Sequence, residues 1–327
     1  MEIVVVIPAF EAAQLLPLSV AAWRRQCDRI IVVDPGSTDA TASVAKSLGA
    51  EVMVLGHRGG PAEARNAGVK AASGSTVVVF SDADCVPADD AYTRVQEAFR
   101  ASPSLVSLTG SYDAFPAARN FASLYMNIRH FATHQQARQT NATFWAGCGA
   151  VRTTAFEASG GFDAKRYPKP MIEDIELGYR LRRLGEMRLD PKLQTKHLKH
   201  WTIASVIKTD IQCRALPWSE LLTTSGEIPN DLNVSLRERM AAAIAPLALI
   251  AGPIGILSIL WSRPSLGLAS LVVLMLSVAC NWRLLSTFAR NGGWWFAATA
   301  WAFHQVHLIY SALCFLYVCL RRKWRRH

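Results

Sequence analysis

The sequence lacks the patterns that mark several common classes of protein. Its seven cysteines form no C-x-x-C pair, which argues against a structural zinc site and fits a reducing compartment. No G-x-G-x-x-G follows the first apolar run and no G-x-x-x-x-G-K-[ST] occurs, so neither a dinucleotide fingerprint nor a P-loop is predicted. Nucleic-acid motifs are absent too, and we expect no nucleic-acid partner.

Charge is scarce as well, since 18% of the 327 residues are charged, 51% are hydrophobic and the net charge is +10. Three apolar runs near the carboxyl end each approach the roughly 20 residues that cross a bilayer. We therefore predict an α/β domain over residues 1–235 and a membrane domain over residues 236–327, with about three hydrophobic helices and a basic tail. The alternative is a very apolar helical core. The runs are "MAAAIAPLALIAGPIGILSILW", "SLGLASLVVLMLSVACNW" and "WWFAATAWAFHQVHLIYSALCFLYVCL".

The first residues, "MEIVVVIPAF", carry an acid where a signal peptide has basic residues. We expect the amino-terminal domain to stay in the cytosol and the chain to be a multi-pass protein of the inner (cytoplasmic) membrane. Basic residues between Arg283 and Arg290 and in the tail "RRKWRRH" cannot both face the cytosol after three simple crossings. The number of crossings is therefore left open.

The first part of the chain alternates apolar runs with segments of helical spacing. Short, fully apolar runs rich in Val and Ile are typical of parallel strands that are buried on both faces. We predict a doubly wound, Rossmann-like α/β fold, in which ligands lie beyond the carboxyl ends of the strands. The predicted strands are "IVVVIP", "RIIVVD", "AEVMVLG" and "STVVVFSD".

Acidic residues follow these strands at the edge where a ligand is expected. Asp34 ends the second run, and Asp82 and Asp84 follow the fourth. Each single residue has a simpler explanation, because Asp34 and the "STD" that follows it are also good helix caps. Carboxylates beside a core, however, need a partner. Asp-x-Asp suits Mg²⁺ or Mn²⁺, which in turn binds the two phosphates of a nucleotide.

Seven motifs, taken in order and spacing, resemble the family 2 glycosyltransferases of the GT-A fold, in their membrane-bound bacterial branch. The resemblance runs from the first residues to about Leu236. The motifs are "IPAFEA", "VVDPGSTDAT", "ARNAG", "FSDADC", "AGCGAVR", "GGFD" and "IEDIELGYRL".

The resemblance implies a metal site and a catalytic base. Asp84 would be the direct ligand of Mg²⁺ or Mn²⁺, Asp82 would contact the ribose or the metal, and His197 would complete the site. Asp174 matches the family's general base, with Glu173 beside it. The alternatives are a pair of surface histidines for His197, and acids placed in a first helical turn for their effect on the helix dipole.

The resemblance also implies nucleotide-sugar contacts along the strand edge. Asp34 would bind the base, Arg65 would lie beside the nucleotide, and Pro8 and Glu11 would line the same region. The segment "PAFEA" lacks the Asn that usually precedes the Glu in this family.

A last pair of candidates lies in "DIQCRALPW", at the place of a Gln-x-x-Arg-Trp motif found in polymerising relatives. Arg214 would meet the pyrophosphate and Trp218 the acceptor, while an amphipathic helix on the membrane is the competing interpretation. Because the full motif is absent, one or a few sugars per acceptor are expected.

The reaction implied is inverting, metal-dependent transfer of a sugar from a nucleotide-diphosphate donor, expected to be a UDP-sugar. Apolar helices fused to such a domain favour a lipid or lipid-linked acceptor. One alternative is a polyprenyl-phosphate acceptor. Another, of a different class, is a non-catalytic membrane-bound sensor or scaffold.

Overall fold

The computed structural model describes residues 1–140, 143–225 and 235–324. The chain divides into two compact units, one of Met1–Arg119 with His134–His200 and the other of Asn120–Thr133 with the residues from Trp201 onward. This division assigns residues 120–133 and the segment after 200 to the second unit, whereas the sequence suggested a boundary after residue 235. That boundary stays a prediction. The last three residues of the expected basic tail lie outside the described residues.

The first unit contains all eight strands and most of the shorter helices. Its strands are β1 Ile3–Pro8, β2 Ile30–Asp34, β3 Glu51–Val54, β4 Val77–Ser81, β5 Cys85–Pro87, β6 Leu105–Tyr112, β7 Cys148–Arg152 and β8 Glu186–His197. Its helices are α1 Leu16–Arg24, α2 Thr41–Ser47, α3 Pro61–Ala71, α4 Ala91–Ala101, α6 Thr153–Ala158 and α7 Glu173–Leu181. The helix α5 Phe121–Gln136 has its first thirteen residues in the second unit.

The eight strands form one sheet in the order β3-β2-β1-β4-β7-β6-β8-β5. The four strands predicted from the apolar runs pair in parallel, as expected. The prediction of a parallel sheet is wrong for β7, which runs antiparallel to both β4 and β6, and for β5, which runs antiparallel to β8. Strands β6 and β8 pair in parallel. The α/β, Rossmann-like class is confirmed, and the sheet is mixed.

Burial on both faces explains the apolar runs. Every residue of β1, β2 and β4 is buried, whereas the edge strand β3 exposes its two end residues. One face packs against Trp23 and Leu16 of α1, and the other packs around Phe80 and Phe162, whose rings lie 5.3 Å apart. Because β1 to β4 run parallel to one another, their carboxyl ends lie at the same edge of the sheet.

Helix α3 lies very close to the sheet because of one glycine of the "ARNAG" motif. A Cβ at Gly68 would come 2.3 Å from Cγ1 of Val6 on β1, which is far inside the normal contact distance. The absence of a side chain at this position lets α3 pack directly on β1. Arg65, three residues earlier, is thereby held against the sheet.

The second unit is helical. It contains α8 Ile203–Thr209, a π-helical turn Asp210–Ala215, α9 Leu216–Ser225, α10 Leu236–Leu260 and α11 Pro264–Trp324. Helix α11 is broken at Gly293, where φ is 83° and ψ is 169°. In the part of the chain that the structure describes, α10 and α11 are long and apolar enough to cross a membrane by length and composition. The second and third predicted apolar runs both lie within α11, one on each side of Gly293, and the number of hydrophobic helices stays a prediction.

A buried aspartate holds three segments of this unit together. Both carboxylate oxygens of Asp210 accept from the Arg129 guanidinium, at 2.9 and 3.0 Å. Arg214 and the Tyr310 hydroxyl donate to the same carboxylate at 2.9 and 2.8 Å. Burial alone would raise the pKa of Asp210, but the charge of Arg129 and the bond to His307 outweigh it and hold the pKa well below its usual range.

We expect Asp210→Asn to destabilise the second unit strongly. The change would leave the buried Arg129 guanidinium without its counter-charge, and breaking a buried ion pair costs about 3–5 kcal/mol. Thermal unfolding of the detergent-purified chain measures this effect. The control is Asp90→Asn, which loses the half-exposed pair with Arg94 and should change stability by less than about 1 kcal/mol. Equal effects of the two changes would contradict the assignment.

Candidate active site

The turn between β4 and β5 presents two carboxylates next to a buried histidine. Strands β5 and β8 pair with His197 opposite Cys85, and this register brings His197 Nε2 to 3.4 Å from Asp84 Oδ2. The His197 ring is buried and stacks on Tyr112, with ring centroids 4.4 Å apart. His200 is exposed. The interpretation of a pair of surface histidines is therefore wrong for His197.

The donor atoms of this turn suit a hard divalent cation. Single ligand atoms of Asp82, Asp84 and Cys85 lie within 4.8 Å of one another. Burial raises the pKa of the Cys85 thiol well above its usual value, so Cys85 stays protonated and is a poor ligand. Two carboxylates and an imidazole remain, which are acceptable ligands for Mn²⁺. Burial alone would raise the pKa of Asp84, but the hydrogen bond and charge of His197 outweigh it and lower the pKa.

Arg65 connects this turn to the start of α7. Its Nη2 lies 2.6 Å from Asp82 Oδ1, and its Nη1 lies 2.9 Å from Glu173 Oε1. Arg65 and Glu173 are both buried, while the Asp82 side chain is 34% exposed. Two residues far apart in sequence, Asp82 and Glu173, are therefore neighbours in the structure.

Helix α7 begins with the two acids that the motif predicted. Glu173 Oε2 accepts from the Met171 N–H at 2.8 Å, and Asp174 accepts from the Ala146 and Ile175 N–H groups at 3.1 and 2.8 Å. Burial and the adjacent Glu173 raise the pKa of Asp174 to about 7, against the opposing charge of Arg65. A carboxylate with this pKa can take up a proton near neutral pH.

The loops after β1 and β2 are locked to each other. Asp34 Oδ1 accepts from the Ser37 N–H at 2.7 Å, and Glu11 accepts from the Thr38 N–H and hydroxyl at 2.8 Å each. Glu11 has a φ of 50°, a left-handed conformation that is uncommon for a non-glycine residue. Pro8 ends β1 just before this loop.

The alternative that Asp34 caps the next helix is not supported. Helix α2 begins at Thr41 and has Ala40 as its N-cap residue. The carboxylate that meets the Thr41 N–H is that of Asp39, at 2.9 Å. Asp34 instead lies at the end of β2 with its Oδ1 bonded to the loop.

The predicted residues thus fall into three groups. The structure brings together Asp82, Asp84, His197, Arg65 and Glu173 through the contacts given above, with Asp174 next to Glu173. Pro8, Glu11 and Asp34 belong to the same unit, at the ends of β1 and β2. Arg214 and Trp218 belong to the second unit, where Arg214 is bonded to Asp210. The roles given to all of these residues stay predictions.

Sequence reasoning missed two features of this site. The Ala146 N–H that binds Asp174 belongs to a loop before β7, and its role depends on the fold rather than on its side chain. Tyr112, which stacks on His197, ends β6. An aromatic residue at a strand end was the available signal, but only the pairing of β6 with β8 identifies its partner.

Comparison with known proteins supports the resemblance. Residues 4–160 match the family described as Glycosyl transferase family 2. A TPR repeat-containing protein of Synechococcus elongatus is 36% identical over 74 residues, which cover 23% of this chain and 18% of that protein's length. The chain thus spans under a fifth of this relative.

Solved structures share the fold. A mannosyltransferase from Pyrobaculum calidifontis, in complex with GDP-Man and Mn²⁺, has a TM-score of 0.55 and 17% identity, covering 96% of this chain and 87% of its own. S. aureus TarS 1–349 in complex with UDP-GlcNAc has a TM-score of 0.53 and 13% identity, covering 68% of this chain and 65% of its own. The fold is the GT-A type of nucleotide-sugar transferases. Residues 4–160 thus carry the sequence pattern of glycosyl transferase family 2 on a fold of the GT-A type.

The raised pKa of Asp174 predicts a pH-dependent stability. A carboxyl whose pKa rises from 3.8 to about 7 on folding stabilises the folded state at low pH, and this contribution is lost as the pH rises through 7. Asp174→Asn should therefore gain stability relative to wild type between pH 4 and pH 8. The ceiling is about 4 kcal/mol, because each pKa unit is worth about 1.4 kcal/mol.

The measurement is thermal unfolding of both proteins at pH 4 and pH 8. Any hydrogen bond lost in the amide variant affects both pH values and cancels in the comparison. Asp89→Asn, whose side chain is 90% exposed, is the control and should show no such change. A stability difference between Asp174→Asn and wild type that is the same at both pH values would contradict the raised pKa.

Proposed function

We propose that this chain is an inverting, metal-dependent glycosyltransferase that moves a sugar from a nucleotide-diphosphate donor to a lipid or lipid-linked acceptor. One observation carries the proposal: the Arg65 guanidinium bonds both Asp82 and Glu173. This contact brings the predicted metal turn next to the helix that begins with the predicted base. A donor at the metal turn and an acceptor at α7 could then meet across this short distance.

The metal turn is proposed as the site of the donor diphosphate. Asp84 and His197 would hold Mg²⁺ or Mn²⁺, with Asp82 beside them. When bound, the ion would supply positive charge beside the diphosphate, on which negative charge develops as it leaves. Asp34, at the end of β2, and Glu11, in the loop after β1, would contact the base and ribose. The ligands bound in two solved structures of similar fold, GDP-Man with Mn²⁺ and UDP-GlcNAc, support this donor class.

Asp174 is proposed as the general base. Its carboxylate would accept the proton of the acceptor hydroxyl while the acceptor oxygen bonds to the anomeric carbon. The bond from that carbon to the phosphate oxygen breaks, and the nucleoside diphosphate leaves with the electron pair. One displacement of this kind inverts the anomeric configuration. The N–H groups of Ala146 and Ile175 hold the carboxylate in place, and burial gives it a pKa of about 7.

The helical unit favours an acceptor carried by a membrane. In the described residues, only 22% of the apolar window of α10 and 17% of that of α11 are buried within the chain. Apolar surface that is left uncovered to this degree needs another apolar phase. We therefore propose a multi-pass protein of the inner membrane with its GT-A domain, residues 1–235, in the cytosol.

A non-catalytic nucleotide-sugar sensor is the alternative of a different class. Such a protein needs the donor site but no base. The partly buried and hydrogen-bonded Asp174, with its raised pKa, is a feature that a sensor would not require. The enzyme is therefore the better supported function.

Loss of the metal ligand should abolish metal-dependent nucleotide binding. We expect Asp84→Ala to lose Mn²⁺-dependent binding of UDP and GDP, because Asp82, already paired with Arg65, and His197 would provide too few ligands. Isothermal titration of the detergent-purified full chain measures this binding. The exposed Asp28→Ala serves as a control and should bind as wild type. Unchanged Mn²⁺-dependent binding in Asp84→Ala would remove the metal turn from the proposal.

Loss of the base should separate binding from transfer. Asp174→Asn should bind the donor nearly normally and transfer sugar about 10²-fold more slowly, the scale of a lost general base. Transfer into lipid extract, with mass spectrometry of lipids that co-purify, gives the rate and the acceptor. A markedly smaller loss would indicate a phosphate acceptor such as a polyprenyl phosphate, which has no proton to remove. Two results would refute the proposed enzyme. One is donor binding without turnover in wild type, and the other is full transfer in both Asp84→Ala and Asp174→Asn.

A further inference from the structure

The guanidinium of Arg65 is enclosed by the protein. The residue is 4% exposed, and its guanidinium carbon lies 5.4 Å from the centre of the Phe162 ring. Its two terminal nitrogens each meet a carboxylate, Asp82 on one side and Glu173 on the other. The remaining Nε is buried and without a partner among the described residues. This environment leaves little room for a contact with a nucleotide.

The geometry of the bridge matches the shape of arginine. The guanidinium is planar and carries donors in a fixed fork, and here each arm of the fork serves a different element of the fold. Asp82 follows β4, Glu173 begins α7, and Arg65 lies on α3. The fork therefore sets the separation between the metal turn and the helix that carries Asp174. A lysine, with a single nitrogen, could not span both carboxylates in the same way.

The charge balance of the site makes this role necessary. Four acids lie in neighbouring positions: Asp82, Asp84, Glu173 and Asp174. Arg65 contacts two of them, Asp82 and Glu173. Without it, Asp82 and Glu173 would be two partly desolvated like charges with no counter-ion between them. Like charges in such a setting repel and move apart. The positions of both carboxylates thus depend on Arg65.

We propose that Arg65 is a positioning residue, whose forked ion pairs hold the Asp82 turn and the first turn of α7 in register, rather than a residue that contacts the nucleotide. This inference refines the role that the family resemblance gives to Arg65. It rests on the proposed function for its kinetic consequence, but the bridge itself can be tested without any activity.

The first experiment is a stability cycle on the full chain in detergent. Arg65→Met should lower the Tm by at least about 5 °C, since it leaves two desolvated carboxylates unpaired. Adding Glu173→Gln removes one of those charges, so the double variant should recover at least half of the lost Tm. The matched control is Arg29, which also bridges two carboxylates, Glu2 and Glu51 at 2.9 Å each, but is 30% exposed. Arg29→Met should lower the Tm by less than about 2 °C.

The second experiment separates positioning from binding. If Arg65 positions the carboxylates, the affinity of Arg65→Lys for Mn²⁺ with UDP or GDP should stay within about threefold of wild type. Its kcat should fall by about 10² or more, because the carboxylates of the site are then misplaced. The Arg65→Met, Glu173→Gln double variant should regain part of the kcat that Arg65→Met loses. Control variants at Arg29 should leave both quantities unchanged.

The outcomes are distinct. A loss of nucleotide affinity of more than about tenfold with kcat retained would overturn the inference and return Arg65 to the nucleotide. The inference would also be overturned if the Tm loss of the double variant equalled the sum of the losses from Arg65→Met and Glu173→Gln, because Arg65 and Glu173 would then contribute independently. If wild type shows no turnover at all, the proposed function fails, whereas the stability cycle still decides whether the bridge exists.

Discussion

The candidate site depends on one buried, positively charged side chain, that of Arg65. The Arg65 guanidinium contacts Asp82 and Glu173, which lie 91 positions apart in sequence and on different elements. Arg65 reaches this point because Gly68 lets α3 lie directly on β1, where a Cβ would come 2.3 Å from Val6. Gly68 on α3 therefore determines the position of the guanidinium that Asp82 and Glu173 both contact. Helix packing, rather than any loop, sets the geometry.

The surplus of carboxylates gives this site its chemical character. One arginine neutralises two of the four acids only in part, and burial works against charge on the others. The consequences differ from residue to residue, since His197 lowers the pKa of Asp84 while burial and Glu173 raise that of Asp174. One acid is thus kept ionised, as a metal ligand must be, and another can exchange a proton near neutral pH.

The sequence predicted the half of the fold that has the simplest pattern. Val and Ile runs identified β1 to β4, because strands buried on both faces carry apolar residues throughout. Strand β8 alternates buried and partly exposed positions and includes Asp190 and Pro191, so it gave no such signal. Its pairing with β5 is what brings His197 to Asp84, and contacts between strands more than 100 residues apart cannot be deduced from local pattern. The motifs named the acids of the site, but the Arg65 bridge, the Ala146 N–H and the Tyr112 ring required the structure.

Asp210, bonded to Arg129, Arg214 and Tyr310, shows that burial alone does not make an acid chemically reactive. Asp210 and Asp174 are both withdrawn from solvent, yet their pKa values move in opposite directions. Among the described residues, Asp174 accepts from two N–H groups and is influenced more by the charge of Glu173 than by that of Arg65. Asp210 is instead bonded to two arginines. With more positive than negative charge around it, Asp210 has no tendency to take up a proton or recruit a metal ion. The sign of the neighbouring charge therefore decides which buried acid can take part in chemistry, and it selects Asp174.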